Sequence, residues 1–304
     1  MRVRIRVPAT CANLGPGFDI LALAVDLCNE VVAESNESGT VVVDPGPDAE
    51  PSLHDAATNL IASSYNRRCE ELGVGAQSRG VRLTCANTIP LRRGLGSSAA
   101  AIVSGVLAAE RLHDEAGELT QQSTLKSATA IEGHPENVAA ALLGGLVIYA
   151  ADLAPRKIEI ADDVACVLFV PEEESSTAAA RAVVPDQFGR EDAVFNAGRC
   201  ALLARAFLTR EYGDLAPAME DRWHQPYRAQ LMPAFDALVA QALASGAYGA
   251  ALSGAGSSVI AFAGPADAET VAAEMSRAAE TASCPGIAMV LRARNSGAEV
   301  VVDP

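Results

Sequence analysis

The stretch Pro90-Leu-Arg-Arg-Gly-Leu-Gly-Ser-Ser-Ala-Ala-Ala101 decides the fold of the first half of this chain. A run of alternating polar and apolar residues, Val81–Ala86, precedes it, and an apolar run with helical spacing, Ala99–Leu112, follows. Glycines in the stretch permit backbone angles that other residues resist, and Ser97 and Ser98 then open the helix. Free N–H groups and the dipole at a helix N-terminus favour an anion. The sequence therefore predicts a strand, a glycine-rich loop and a helix that binds phosphate at its N-terminus.

This loop differs from a Walker A loop, because no Gly-Lys-Ser/Thr follows its glycines. The chain has two lysines, Lys126 and Lys157, and neither is near the loop in sequence. Taken alone, a Gly-x-Gly-Ser-Ser stretch also fits a plain turn between a strand and a helix. The choice between a turn and a phosphate site depends on the rest of the chain.

The composition is that of a globular protein whose net charge disfavours binding to polyanions. Half of the 304 residues are hydrophobic and 20% are charged, which fits one large domain or two medium ones. The net charge of −15 argues against nucleic acid or an anionic membrane as a partner. An anionic substrate would therefore need arginines placed locally around its site.

The cysteines and the N-terminus favour a cytoplasmic protein. Seven cysteines are scattered without a Cys-x-x-Cys pair, which indicates reduced thiols and argues against a disulfide framework or a zinc site. Residues 2–7 alternate Arg with Val or Ile, as in a strand with one buried face, and do not resemble a signal peptide. The longest apolar run, Ile20–Val25, is too short to span a bilayer.

Hydrophobic periodicity predicts a mixed α+β protein. The spacing predicts strands over Ile20–Ala33, Thr40–Val43 and Val164–Val170, and helices over Ala56–Leu72, Leu119–Ile131, Ser175–Val184, Asp192–Tyr212 and Asp267–Thr281. In the second half, Ala288–Arg292 and Glu299–Val302 are expected to close that half's own sheet, which gives an α+β sandwich. A domain boundary is expected at Pro155.

Several separated segments resemble the GHMP small-molecule kinases. The glycine-rich stretch resembles their phosphate loop, and Ser253-Gly-Ala-Gly-Ser-Ser258 resembles their C-terminal glycine motif. Three further segments are similar to the homoserine kinases of this superfamily: Ala9-Thr-Cys-Ala-Asn-Leu-Gly-Pro-Gly-Phe-Asp19, Glu132-Gly-His-Pro-Glu-Asn137 and Gln225-Pro-Tyr-Arg228. The resemblance covers nearly the whole chain.

The resemblance implies a fold, a reaction and a set of ligands. The implied fold is α+β with two domains: an N-terminal nucleotide-binding domain of the ribosomal-protein-S5-domain-2 type over residues 1–155, and a C-terminal ferredoxin-like α/β sandwich over residues 156–304. The implied reaction is ATP-dependent phosphorylation of the side-chain hydroxyl of L-homoserine, a step of threonine biosynthesis that uses Mg²⁺. A homodimer is implied as well.

The resemblance also implies roles for individual residues. Those implied to bind ATP are Pro90, Leu91, Arg92, Arg93, Gly94, Leu95, Gly96, Ser97, Ser98, Ala99 and Ala100, with Asn59 on the adenine side. Those implied to contact homoserine are Asn13, Asp19, Asn137, Arg181 and Arg228. Ser98 and Glu132 are implied as Mg²⁺ ligands, and Thr177 lies close to the transferred phosphoryl group. Asn137, Glu132, Ser98 and Thr177 are thus the implied catalytic residues.

The residue types suit an amino-acid substrate. The planar fork of arginine matches a carboxylate, which makes Arg181 and Arg228 candidates, and Asp19 suits an ammonium group. Asn137 cannot accept a proton usefully near neutral pH, but it can orient a hydroxyl. We therefore expect direct attack by the substrate hydroxyl without a protein general base.

Other interpretations stay open at this level. The chain could be another GHMP kinase that acts on mevalonate or a sugar, or a non-catalytic ligand sensor on the same scaffold. Either arginine could be solvated, and Glu132 could merely complement a helix end. His134 precedes a proline and is expected to serve a turn, while His54, His113 and His224 are interpreted as structural or exposed. Glu136 and Gln225 depart from the commoner family residues, and the segment from Glu132 to Asn137 is shorter than in several members.

Overall fold

The structure, a computed structural model, describes residues 1–47, 49–114, 117 and 119–303. The elements of the first half are β1 (Arg2–Asn13), β2 (Gly17–Ser35), β3 (Val41–Asp44), α1 (Leu60–Glu71), β4 (Val81–Ala86), α2 (Ser97–His113), α3 (Gln121–Glu132), α4 (Pro135–Leu143), β5 (Leu146–Ile148) and β6 (Arg156–Ile158). Those that follow are β7 (Ala165–Pro171), α5 (Thr177–Ala182), α6 (Arg190–Thr209), α7 (Leu215–Ala218), α8 (Gln225–Arg228), α9 (Phe235–Ala244), β8 (Gly249–Leu252), β9 (Val259–Ala263), α10 (Ala268–Thr281), β10 (Gly286–Leu291) and β11 (Glu299–Asp303).

The first strand confirms the alternation read from the sequence. Its arginines are exposed, while Val3, Ile5 and Val7 are fully buried. The arginines form ion pairs with acidic residues of the neighbouring strand β2: Arg2 with Glu34, Arg4 with Glu30, and Arg6 with Asp26. Beyond Val7 every residue of β1 is buried, because α2 and α4 pack against this part of the strand. The strand thus carries its C-terminal end, with Asn13, into the interior.

The first sheet is organised around the long strand β2. Its path runs β11-β1-β2-β4-β3, and β5 pairs with β2 while β6 pairs with β5. The end of β2 pairs with β4, and its beginning pairs with β5, so the sheet splits along this strand. Helices α1 and α2 pack closely, since a Cβ at Gly105 would lie 2.3 Å from the carbonyl oxygen of Ile61. The N-terminus of α2 lies beside β1, where the Thr10 N–H donates to the Leu95 carbonyl at 3.1 Å.

The second sheet is antiparallel and covered on both faces. Its order is β10-β7-β9-β8. Every residue of β7 is buried, and alternate side chains enter two different cores. Val167 and Phe169 face α9 and α10, while Cys166 and Leu168 join a core that continues through α6 into the first half. The α/β sandwich expected for this half is confirmed.

The expectation that Glu299–Val302 closes the second sheet is wrong. Strand β11 pairs antiparallel with β1, with Val300 opposite Ile5. Strand β6 likewise pairs with β5 in the first sheet. A run of β-branched residues such as Val300–Val302 predicts a strand but carries no information on the strand's partner. The boundary at residue 155 stays a prediction, but the first sheet takes strands from both sides of it.

Within the described part of the chain, no helix combines the length and apolarity that crossing a membrane requires.

Candidate active site

The glycine-rich loop joins β4 to α2, and the helix begins at Ser97 as predicted. Gly96 is its N-cap residue, with a left-handed φ of 66°, and a Cβ there would lie 1.9 Å from Thr10 Oγ1. A Cβ at Gly94 would lie 2.2 Å from the carbonyl oxygen of Ser253. Since a glycine cap has no side chain to occupy the first N–H groups, they stay available to a phosphate.

A cavity of about 150 Å³ lies between the loop and the second half of the chain. It brings together most of the residues that the sequence singled out: Asn13, Asp19, Arg92, Arg93, Gly94, Leu95, Gly96, Ser97, Ser98, Glu132, Asn137, Thr177, Arg181 and Arg228. These residues come from five stretches of the chain, so their convergence is a property of the fold and not of sequence proximity.

Five other candidates lie outside this cavity. Ala99 and Ala100 are fully buried in the core behind the loop. Pro90 and Leu91 line a neighbouring groove of about 640 Å³, and Arg93 lines both spaces. Asn59 is the N-cap of α1.

The side chain of Asn59 is occupied by this cap. Its Oδ1 accepts hydrogen bonds from the backbone N–H groups of Ile61 and Ala62, and its Nδ2 donates to the Leu53 carbonyl at 2.8 Å. Leu53 lines the groove, so Asn59 shapes that space through its neighbour.

The two arginines of the loop tie it to the second half. Arg92 forms ion pairs with Glu50 at 2.8 Å and with Glu174 at 2.6 Å. Arg93 donates to the carbonyl oxygen of Pro171 at 2.8 Å. Their guanidinium groups therefore fix the loop's position, and the backbone is left as its anion-binding surface.

A hydroxyl and a carboxylate meet at the start of α2. Ser98 Oγ donates to Glu132 Oε1 at 2.8 Å, and Glu132 Oε2 accepts from the backbone N–H of His134 at 2.7 Å. No group of three His, Cys, Asp or Glu side chains suited to a metal occurs among the described residues. This sparse oxygen set fits Mg²⁺, which keeps several waters and shares its remaining positions with substrate phosphates.

Opposite charges face each other on the other side of the cavity. Arg181 Nη2 lies 2.9 Å from Asp19 Oδ1, and both side chains are partly exposed. Arg228 is buried and donates to the carbonyl oxygens of Ala180 and Gly254, both at 3.0 Å. The ring of Phe18 packs against both guanidinium groups, 5.6 Å from that of Arg181 and 5.0 Å from that of Arg228.

Two family models and many relatives match this chain. The family model described as GHMP kinases N terminal domain matches residues 59–145, and the one described as GHMP kinases C terminal matches residues 203–281. A homoserine kinase of Caldanaerobacter subterraneus is 40% identical over 99% of this chain and 96% of its own length. One of Streptomyces avermitilis is 46% identical over 89% of this chain and 88% of its own.

The chain belongs to the homoserine kinase family of the GHMP kinases. It is therefore an ATP-dependent small-molecule kinase. The crystal structure of homoserine kinase from Cytophaga hutchinsonii matches it with a TM-score of 0.89 at 28% identity, over 99% of this chain and 97% of the other. A mevalonate kinase of L. major matches with a TM-score of 0.75 at 19% identity, which shows a shared fold alone.

This kinase has a buried acid in its site, Glu136, at a position where the sequence departs from the commoner family residue. Glu136 is 1% exposed and lines the cavity. Its Oε1 accepts from Asn137 Nδ2 at 3.0 Å, while its Oε2 has no hydrogen-bond partner. Burial raises the pKa of the Glu136 carboxyl to about 7, and the charge of Asp19 adds to the rise. The density of polar groups in Glu132–Asn137 was the available signal.

His224 is buried, and it connects the two halves. Its ring nitrogen Nε2 donates to the Gly15 carbonyl at 2.8 Å, and the ring stacks on Phe18 with centroids 5.3 Å apart. Burial lowers the pKa of His224 to about 4, so the ring is neutral. Its Nδ1 lies 3.4 Å from Arg228 Nη1. The structural interpretation of His224 is thus confirmed, while its place beside a candidate substrate residue was missed.

Proposed function

We propose that this chain transfers the γ-phosphoryl group of ATP to the side-chain hydroxyl of L-homoserine, giving O-phospho-L-homoserine for threonine biosynthesis. The observation that carries the proposal is one cavity that joins a phosphate-binding helix N-terminus to the Asp19–Arg181 ion pair. The names of the relatives support the same substrate.

The ion pair suits a zwitterion better than a neutral alcohol. Arg181 would bind the substrate carboxylate together with Arg228, and Asp19 would bind the ammonium group, with Asn13 next to it. A substrate with both charges replaces both partners at once, whereas one that lacks either charge leaves a side chain without its counter-charge. Asn13 supports this arrangement, because its Oδ1 accepts from the backbone N–H of Asp19 at 3.1 Å.

The glycine-rich loop and the adjoining groove are the proposed ATP site. Backbone N–H groups of residues 94–98 would bind the phosphates at the start of α2. The groove that Pro90 and Leu91 line would take the base, with Asn59 shaping it through Leu53. Ala99 and Ala100 would contribute only through the backbone and the packing of the helix.

Ser98 and Glu132 would hold Mg²⁺ at the junction of the two sites. The ion, when bound, neutralises charge on the phosphate oxygens. Glu132 is held for this by the backbone N–H of His134.

Asn137 is the proposed orienting group for the attacking hydroxyl. Its Oδ1 accepts from the Thr10 hydroxyl at 2.7 Å, and its Nδ2 donates one hydrogen to Glu136, which leaves the second hydrogen for the substrate oxygen. Thr177, in the first turn of α5, would place a hydroxyl near the transferred group. We propose direct attack without a protein general base. A cytoplasmic homodimer is proposed from the family resemblance and from the free cysteines.

An ADP-release assay tests the substrate. We expect turnover that requires L-homoserine and Mg²⁺ together; turnover with mevalonate or galactose and none with homoserine would overturn the proposal. Arg181→Ala and Arg228→Ala should each raise the KM for homoserine by about 10- to 150-fold, the effect of losing one charged hydrogen bond. The KM for ATP should change little. Arg277→Ala is the matched control, because Arg277 is exposed and forms an ion pair with Glu274 on the same helix.

A further inference from the structure

A continuous chain of hydrogen bonds links the proposed metal site to the proposed substrate site. It passes from Ser98 to Glu132 at 2.8 Å, from Glu132 Oε2 to His134 Nδ1 at 2.6 Å, from His134 Nε2 to Arg181 Nε at 3.2 Å, and from Arg181 Nη2 to Asp19 at 2.9 Å. His134 is the one ring in this chain, and each of its nitrogens contacts a different site.

The chemistry of the neighbours fixes the tautomer of this ring. A carboxylate only accepts hydrogen bonds, so Nδ1 must carry the hydrogen that faces Glu132. A guanidinium only donates, so Nε2 must present its lone pair to Arg181. One neutral tautomer satisfies both contacts, and it leaves each nitrogen with a single defined task.

The side chain of His134 makes contacts that a turn does not require. His134 is the N-cap residue of α4, followed by Pro135, and its own backbone N–H already bonds Glu132. A turn role needs only that backbone. The side chain reaches across the cavity to Arg181 on α5, which belongs to the second half of the chain.

We propose that His134 is a positioning residue that couples magnesium binding at Glu132 to homoserine binding at Arg181. This inference rests on the proposed function. Nδ1 holds the Glu132 carboxylate toward Ser98, and Nε2 holds the Arg181 guanidinium so that its Nη2 faces Asp19. Because each contact constrains the same ring, ordering of one site orders the other, and the coupling is reciprocal.

Two substitutions separate the two contacts. His134→Asn can place an amide N–H near the position of Nδ1 but is too short to reach Arg181. His134→Gln can place an amide oxygen near the position of Nε2 but withdraws the donor from Glu132. His134→Ala removes both, and His54→Asn, at an exposed position, is the control.

We expect His134→Asn and His134→Gln each to weaken binding at a different one of the two sites. His134→Asn should weaken homoserine binding by about 10-fold or more in calorimetry without nucleotide, and should leave the Mg²⁺ dependence of ADP binding near the wild-type value. His134→Gln should weaken that Mg²⁺ dependence, measured without homoserine, by a similar factor and spare homoserine binding without nucleotide. Each of these measurements reports one contact alone. The coupling itself is measured by adding Mg²⁺ and ADP, which should raise the affinity for homoserine in the wild type and in neither variant. Thermal unfolding of each variant checks the fold.

Three results bear against the proposal. Equal losses of both properties in both variants would indicate a turn role and overturn it, as would wild-type values in both. If the wild type releases ADP with homoserine and the variants give either of these results, the coupling is wrong and the proposed function still holds. A wild type that released no ADP with homoserine would overturn the proposed function, and the coupling with it.

Discussion

At the scale of single residues, Glu136 is the most unusual group of the site. Its carboxyl is buried with one oxygen unpartnered, and the charged groups around it are Asp19, Glu132 and His134. Burial dominates, so the folded protein holds the pKa near 7 while an unfolded chain holds it near 4.5. A group whose pKa rises on folding binds more protons in the folded state between these values. Its contribution to stability is therefore present below about pH 4.5 and is lost as the pH rises toward 7.

Glu136→Gln should remove this pH dependence. The amide oxygen can keep the bond from Asn137 Nδ2, and no charge has to be buried. We expect the free energy of unfolding of the variant relative to wild type to increase between pH 5 and pH 8, by at most about 3 kcal/mol, since one pKa unit corresponds to about 1.4 kcal/mol. Urea unfolding across this range measures it. Glu37→Gln, at an exposed site, should show no such trend, and a constant difference for Glu136→Gln would refute the argument.

The sequence predicted site residues where chemistry depends on type and spacing. The resemblance to the GHMP kinases named Asp19 and Arg181, and their opposite charges suit a zwitterion. Glu136 and His134 could not be assigned, since burial and ring orientation depend on packing from distant segments. The resemblance implied that Arg92 binds ATP, but it could not show that its guanidinium pairs with Glu50 and Glu174, which lie 42 and 82 positions away. Such partners are set by the tertiary fold.

At the scale of elements, hydrophobic periodicity predicted where the helices lie, whereas capping residues determine where each helix begins. Helix α2 begins at Ser97 as predicted, while α1 begins at Leu60, four residues after the expected Ala56. Asn59 explains that difference, because its side chain caps the backbone at that point. Propensity extends a helix over neighbouring residues, and a local hydrogen bond decides where it starts.

Gly96→Ala tests the loop against a matched glycine. Both Gly96 and Gly73 have left-handed φ angles, 66° and 71°, so either alanine should cost about 1–2 kcal/mol of backbone strain. A Cβ at Gly73 meets nothing within 4 Å, whereas one at Gly96 would displace Thr10 and, through it, Asn137. We expect Gly96→Ala to raise the KM for ATP and lower kcat by about 10-fold or more, while Gly73→Ala alters only stability. Equal KM and kcat values in Gly96→Ala and Gly73→Ala would contradict the close approach of Gly96 to Thr10.

At the scale of the whole molecule, the two halves share one cavity and one core. Gly254 illustrates the junction: its N–H donates to the Ala12 carbonyl, and its own carbonyl accepts from both Asn13 and Arg228. The glycine motif at 253–258 also contacts the phosphate loop, because Ser253 Oγ donates to the Gly94 carbonyl at 2.7 Å. The pairing of the strands was harder to predict, because the hydrophobic pattern of β6 and β11 does not show which strand each of them pairs with.

Deleting the last strand tests the arrangement of the sheets. A variant that ends at Ala298 lacks β11, so the N–H groups of β1 that face it lose their acceptors over Arg2–Arg6. Hydrogen exchange should therefore accelerate in this segment, and the melting temperature should fall, while β7 and β10 keep their protection. Glu299→Gln is the control, because it removes the ion pair to Arg294 and leaves the strand in place. Faster exchange in β10 with an unchanged β1 would mean that the last strand belongs to the second sheet. The cavity lies at the opposite end of β1, near Asn13, so the truncated protein should still release ADP with homoserine at low temperature.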